Sequence, residues 1–267
     1  MDTVLPIEVR TVHRDTEAII NYFPIPGSGV LPMNAFLIRA RQPVLVDTIW
    51  AGVRDGFLDR LRDLIDPADL RWIWLTHADP DHIGNLQPLL DEAPGARLVT
   101  TFVGMGKMGL MQRPVDRVYL LNPGQSLDVG DRRLLALKPP TYDAPETTGL
   151  FDTRTQILFS ADSFGALLPE PAAMASEIPP DTLRDGLVTW TTVDSPWLNL
   201  VEREKFDRSL QVVRDLSPRA ILSSHLPPAV DMMDRLLEYL GAAHSAPPFV
   251  GPDQEALEEM MAATDQA

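Results

Sequence analysis

The sequence predicts a layered α/β fold, with strands in the interior and helices outside. Three observations lead there. Short apolar runs of strand length fall in two clusters, one before about residue 160 and a smaller one after it. Segments with helical spacing are interspersed among them. The 25 prolines fall mostly between these periodic segments, which marks many short elements joined by fixed turns. At 267 residues and 45% hydrophobic content, the chain is long enough for a full core.

Residues 35–39 (AFLIR) and 44–47 (VLVD) are apolar runs separated by Arg41-Gln42-Pro43, the pattern of a hairpin. Residues 54–65 place Phe57, Leu58, Leu61, Leu64 and Ile65 on one helical face, and Asp66-Pro67 stops that helix. Residues 71–76 (RWIWLT) read as a strand, with Trp72 and Trp74 alternating against Ile73 and Leu75. Residues 83–90 form a short helix that tolerates Pro88 only in or near its first turn. Further strands are expected at 97–100, 117–121 and 133–137, then at 150–152 and 156–160 around the Thr153-Arg154-Thr155 turn. Residues 165–197 are proline-rich and read as irregular. A helix at 202–216 runs through Phe206, Leu210 and Val213, followed by a strand at 219–223 and a helix at 232–240. Residues 1–250 read as one domain, and 251–267 as an acidic tail with a helical turn or two.

Composition narrows the function. Lys plus Arg is 23 against 38 Asp plus Glu, a formal net charge of −15, which argues against nucleic acid or an anionic membrane as partner. The absence of cysteine removes disulfides, thiolate zinc sites, iron–sulfur clusters and cysteine nucleophiles. The first residues lack a basic stretch followed by an apolar run, and apolar stretches fall short of the ~20 residues that span a bilayer. A cytoplasmic protein is the expectation.

The chemistry concentrates in Thr76-His77-Ala78-Asp79-Pro80-Asp81-His82, directly after the strand at 71–75. In an extended loop, alternate residues project alike, so His77 and Asp79 can share one ion while Asp81 and His82 turn toward a second. Loops at strand ends are where open α/β sheets place ligands. An aspartate before proline is also a common helix N-cap. Two of the chain's five histidines fall in this one segment, and that concentration favours the metal reading.

THADPDHIGN resembles the His-x-His-x-Asp-His motif of the metallo-β-lactamase superfamily, with Asp79 in place of the middle histidine. A carboxylate there is similar to the flavodiiron branch and the related oxygen-binding diiron proteins. Other segments carry the same resemblance. Residues 34–38 and 44–48 look like that family's opening strands, and 157–165 (ILFSADSFG) look like the segment bearing its bridging aspartate. Residues 222–225 (LSSH) sit where the family has its last histidine. The resemblance spans roughly residues 30–240. It implies a four-layer αββα sandwich and a dinuclear metal centre. It assigns His77, Asp79 and Asp143 to one ion and Asp81, His225 and His82 to the other, with Asp162 between them. Asp47 is implied to support the site through hydrogen bonds to a ligand.

The chain departs from the family at Asp143-Ala144-Pro145-Glu146-Thr147, where the family has His-Trp-Pro-Asp-Ser. Asp143 stands in the histidine's place: either it ligates, or Glu146 or Tyr142 substitutes, or that site is weakened; Pro145 fixes the register in favour of Asp143. Asp79, Asp81, Asp143 and Asp162 then set four negative charges against two divalent ions. Such hard oxygen ligation suits iron or manganese better than zinc. It also weakens Lewis acidity and makes a bridging water harder to deprotonate.

The expectation is therefore a non-haem dinuclear iron protein that binds or reduces O2 or NO. Its alternatives are a dinuclear metallohydrolase and an oxygen-sensing module without turnover. No phosphate-binding glycine loop follows residue 240, so no FMN domain is expected in this chain and electrons come from a separate donor protein or flavin. A homodimer is implied by analogy alone. The stretch 190–197 (WTTVDSPW) covers the site, forms a subunit contact or packs in the core. His13 and His244 lie outside any motif and read as structural or surface residues.

Overall fold

A computed structural model of the chain describes residues 5–113 and 115–264; the outermost residues of the expected domain and of the acidic tail, 1–4 and 265–267, lie outside them, as does Pro114. The first sheet contains β1 (Glu8–His13), β2 (Thr16–Ile25), β3 (Gly29–Ile38), β4 (Val44–Val46), β5 (Trp72–Trp74), β6 (Arg97–Thr100) and β7 (Val118–Leu120), in sequential order. The second contains β8 (Ser126–Asp128), β9 (Arg133–Leu137), β10 (Gly149–Asp152), β11 (Ile157–Phe159), β12 (Ala220–Leu222) and β13 (Ala229–Val230), in the order 13-12-11-10-9-8. Both sheets are mixed: β4 to β7 pair in parallel and so do β11 and β12, while the remaining neighbours are antiparallel.

Side-chain alternation sorts each strand of the first sheet between two cores. Trp72 and Trp74, Val44 and Val46, and Phe36 and Ile38 point into the space between the sheets. Ile73 and Leu75, Leu45, and Ala35 and Leu37 point the other way. That outer face is covered by α1 (Arg54–Leu64), α2 (Pro80–Ile83), α3 (Leu86–Glu92) and α4 (Phe102–Leu110), through residues such as Phe57, Leu61, Leu89 and Met108. The second sheet is covered by α5 (Pro180–Asp194), α6 (Arg203–Leu216) and α7 (Met233–Ala243), through Leu187, Phe206, Leu210 and Leu240. The result is the αββα order, with two facing sheets between helical layers. Among the described residues, no helix is long and apolar enough to cross a membrane.

Several elements differ from the sequence expectation. The segment 165–197 is not irregular throughout: α5 occupies fifteen of its residues, beginning at the Pro179-Pro180 pair. Proline at a first helical position is compatible with a helix, and Leu183, Leu187 and Thr191 recur every four residues as its buried face. The expected helix at 83–90 is two helices, α2 and α3, broken around Gly84-Asn85. The acidic tail holds an eleven-residue helix, α8 (Gln254–Thr264), rather than a turn or two. Strands β1 and β2 precede the expected hairpin, and α4 follows β6 where three glycines hide a helical stretch.

Parallel strands bring their C-terminal ends to one side, and the loops leaving β4, β5, β11 and β12 meet there. Gly84 lets α2 press against the turn after β4. A Cβ on it would stand 2.3 Å from the Ala51 amide nitrogen and 2.5 Å from the Ile49 carbonyl oxygen. Backbone cannot yield there as a flexible side chain would. Gly84→Ala is expected to lower the unfolding free energy by about 1–3 kcal/mol in urea denaturation. A loss within about 0.5 kcal/mol, typical of surface changes, would contradict this account of the contact.

Candidate metal centre

The loop after β5 is held from beneath by Asp47. This residue ends β4 in a left-handed conformation at φ 57°, which aspartate tolerates better than most side chains. Its carboxylate is fully buried. It accepts the Thr76 amide at 2.8 Å, the Thr76 hydroxyl at 2.7 Å and His82 Nδ1 at 2.9 Å. The Thr76 carbonyl accepts the Thr148 amide at 2.8 Å, which joins this loop to the one carrying Asp143.

The second sheet supplies two further loops. Ala161 and Phe164, both at positive φ, bracket Asp162 and turn its carboxylate inward. His225 lies on the turn after β12, where Asn34 of β3 donates to the carbonyls of Ser223 and Leu226 at 2.9 and 2.8 Å. The two loops are tied together by the Ser224 amide donating to the Ala161 carbonyl at 2.8 Å. Pro32 contributes its carbonyl to His225 Nδ1 at 2.7 Å, across the seam between the sheets.

These partners decide which ring nitrogen each histidine presents. His82 Nδ1 donates to Asp47 and His225 Nδ1 to Pro32, so both turn Nε2 into the cluster. His77 Nδ1 lies 3.2 Å from the Thr76 hydroxyl, whose proton goes to Asp47, and His77 too presents Nε2.

Asp162 is the hub. Its Oδ2 lies 3.1 Å from His77 Nε2, while its Oδ1 lies 3.2 Å from both His82 Nε2 and His225 Nε2. Asp81 Oδ2 is 3.3 Å from His225 Nε2 and 3.5 Å from His82 Nε2. Asp143 Oδ1 is 3.8 Å from His77 Nε2, and Asp79 offers an oxygen within 4.8 Å of both residues. All seven expected residues thus converge, and Asp47 lies directly beneath them. Glu146 and Tyr142, the substitutes for Asp143, face elsewhere: Glu146 pairs with Lys107, and Tyr142 packs against Trp197 at 5.2 Å between ring centroids.

The charge states follow from this crowding. Burial and the three histidines act in opposition on Asp162, and the histidines win, holding its carboxyl well below the usual range. Asp81 is lowered in the same way by His82 and His225 against its burial. Burial disfavours the charged form of His225, but Asp162 and Asp81 overcome it and push the ring up to about 10. His82 is raised against burial by Asp81, Asp162 and Asp47. Asp143 moves the other way, raised by burial and by the charges of Asp162 and Asp79 despite His77.

These residues fit a pair of cations. Nε2 of His82 and Oδ1 of Asp162 are buried and close, yet neither is aligned for a hydrogen bond. Buried polar atoms in this state call for another partner. Histidine and carboxylate oxygen donors grouped as His77, Asp79 and Asp143 on one side and Asp81, His82 and His225 on the other make a set of metal-ligand type.

Three residues beyond the expected set also meet the cluster, two of them within the stretch 190–197. Asp194, near the end of α5, shares a cluster with Asp143 and Asp162. Burial, then the charges of Asp162 and Asp143, raise its carboxyl to about 7. Trp190 packs on His225 at 4.6 Å and donates its indole N–H to the Asp162 carbonyl at 3.3 Å. Gly165 makes room for it, since a Cβ there would lie 2.5 Å from the indole ring. Within the stretch 190–197, Trp190 thus covers the His225 side of the cluster, while Trp197 packs against Tyr142. Lys107 of α4 reaches in to Asp79 at 2.7 Å and Glu146 at 2.8 Å. The four-residue spacing of Leu183, Leu187 and Thr191 was the signal that could have found α5 and its two residues. No local signal marked Lys107. His13 and His244 stay outside: His13 Nδ1 accepts the Asp15 amide, and His244 is bonded to the Val201 carbonyl at 2.7 Å.

Two facing sheets and this cluster define a protein of the metallo-β-lactamase superfamily, of flavodiiron type. More narrowly, the chain belongs to the family described as "ODP family beta lactamase", whose model matches residues 31–225. It is 32% identical over 160 residues to an anaerobic nitric oxide reductase flavorubredoxin of Salmonella typhi, an alignment covering 59% of this chain and 32% of the relative. It is also 32% identical over 134 residues to diflavin flavoprotein A 1 of Synechocystis sp., covering 49% of this chain and 23% of the relative. The chain thus spans only about a quarter to a third of the curated relatives it matches. The fold is similar to that of rubredoxin oxygen:oxidoreductase from Desulfovibrio gigas, with a TM-score of 0.79 at 18% identity, over 90% of this chain and 62% of that one.

Replacing Asp47 with alanine would leave the buried Thr76 amide and His82 Nδ1 without acceptors. Asp47→Ala is expected to lower the unfolding free energy by about 1–3 kcal/mol or more, read from urea denaturation followed by circular dichroism. A change within about 0.5 kcal/mol would show that Asp47 does not hold the loop.

Proposed function

We propose that this chain is the metal-binding core of a non-haem dinuclear iron oxidoreductase that reduces O2 or NO with electrons from a separate donor protein or flavin. One observation carries the reading: the two oxygens of Asp162 face different histidines, Oδ2 toward His77 and Oδ1 toward His82 and His225. A carboxylate so placed is suited to bridge two ions. His77, Asp79 and Asp143 would hold one, and Asp81, His82 and His225 the other. Carboxylate-rich ligation favours iron or manganese over zinc. When bound, a pair of iron ions supplies electrons to a diatomic molecule.

The protein's own groups have separate tasks in this reading. Asp47 and the Pro32 carbonyl fix the tautomers of His82 and His225, so that Nε2 remains the donor. Trp190 closes the face over His225 and limits access by water. Asp194 stands beside Asp143 and Asp162, and burial together with their charges raises its carboxyl to about 7. The names of the Salmonella and Desulfovibrio proteins, a nitric oxide reductase and an oxygen oxidoreductase, support a diatomic substrate for this chain.

Purification without oxygen, addition of Fe(II), removal of excess and elemental analysis test the proposal. Retained iron and new near-ultraviolet or visible absorption on admitting air are expected. Asp162→Ala is expected to lose most of both while keeping its far-ultraviolet circular dichroism. Protein that retains no iron, or that turns over esters with zinc regardless of redox state, would sink this reading.

A further inference from the structure

The two halves of the cluster differ in a way that the ligand types alone do not reveal. Among the described residues, the ion pairs of Asp81 run to His82 and His225. Asp79, its counterpart in the other half, is bound by a lysine: Lys107 Nζ donates to Asp79 Oδ1 at 2.7 Å. Lys107 is the one basic residue of α4, in the segment FVGMGKMGL. Its ammonium also forms an ion pair with Glu146, whose oxygen lies 2.8 Å away and whose side chain is only 1% exposed. The ammonium is thus clamped between two carboxylates at the edge of the cluster.

A cation in this position opposes a second divalent ion in two ways. It repels the incoming charge at short range, in a setting less screened than bulk water. It also engages one oxygen of Asp79, leaving the other for an ion. The half containing Asp81, His82 and His225 carries two histidine donors, whereas the other carries His77 alone. Both differences act in the same direction.

We infer that Lys107 makes the centre unequal: the Asp81–His82–His225 half takes a divalent ion first, and the His77–Asp79–Asp143 half takes the second against the Lys107 ammonium. This rests on the reading of the cluster as a metal centre. Lys107 is a positioning residue here, acting through Asp79 and the local charge. Glu146 is part of the same device, because it keeps the ammonium in place.

Chelator-treated protein is titrated with Mn(II) without oxygen, with bound ion measured by equilibrium dialysis and isolated Mn(II) by electron paramagnetic resonance. The first ion is expected to bind at least about tenfold more tightly than the second, giving an isolated-ion signal at one equivalent. Lys107→Met/Glu146→Gln removes the pair without changing net charge. It is expected to narrow the gap severalfold, so that magnetic coupling between ions appears well before one equivalent is bound. Lys107→Arg keeps the charge and should keep the gap; Lys107→Gln is a smaller change that tests the cause should the double variant fold poorly. Two ions of equal affinity in the unaltered protein overturn the inference while leaving the metal centre standing. A gap unchanged in Lys107→Gln and in the folded double variant also overturns it. Protein that binds no Mn(II) at all removes the metal reading and this inference together.

Discussion

Carboxylates and imidazoles packed at a protein seam cannot coexist unless each charge meets an opposite one, and this requirement governs the architecture around Asp162. Three ring nitrogens converge on its two oxygens. The rings oppose the burial of the carboxylates, and the carboxylates oppose the burial of the rings. The balance depends on positions set to within a fraction of an ångström. The surrounding structure supplies them through buried hydrogen bonds from Asp47, Asn34 and Pro32.

Those supports come from both sheets, which explains why the site lies on the seam. The first sheet provides His77, Asp79, Asp81 and His82 after β5, and the second provides Asp162 after β11 and His225 after β12. Neither sheet alone holds a complete set. Parallel pairing in each sheet brings these strand ends to one side, and packing of the large inner residues Phe36, Trp74 and Phe159 sets how far apart they stand. The αββα order therefore fixes the spacing of the donors as well as covering the apolar faces.

Around this frame, helices from either outer layer reach the cluster and modify it. α5 brings Trp190 and Asp194 to Asp162 and His225, adding an apolar cover and a carboxyl raised to about 7. α4 brings Lys107 to Asp79. The family resemblance anticipates the positions of the clustered histidines and aspartates, and these residues surround them. They add a cation against Asp79 and an apolar cover against His225.

Much of the fold and the site was legible in the sequence because their signals are local. Alternation of Trp72 and Trp74 with Ile73 and Leu75 is a property of a strand whose two faces are both buried, and it holds wherever that strand sits. The THADPDHIGN motif places four metal-capable side chains in one turn of loop, so chain connectivity alone keeps them close. Lys107 carried no such mark, and Glu146, Trp190 and Asp194 were marked only as one alternative among several, since each meets the cluster across a distance in sequence that only packing closes. A lysine on a helix looks the same in sequence whether its ammonium points to water or to Asp79. Connectivity decided which residues are neighbours along a loop; the tertiary structure alone decided which charges face each other across space, because that depends on how two sheets and their covering helices dock.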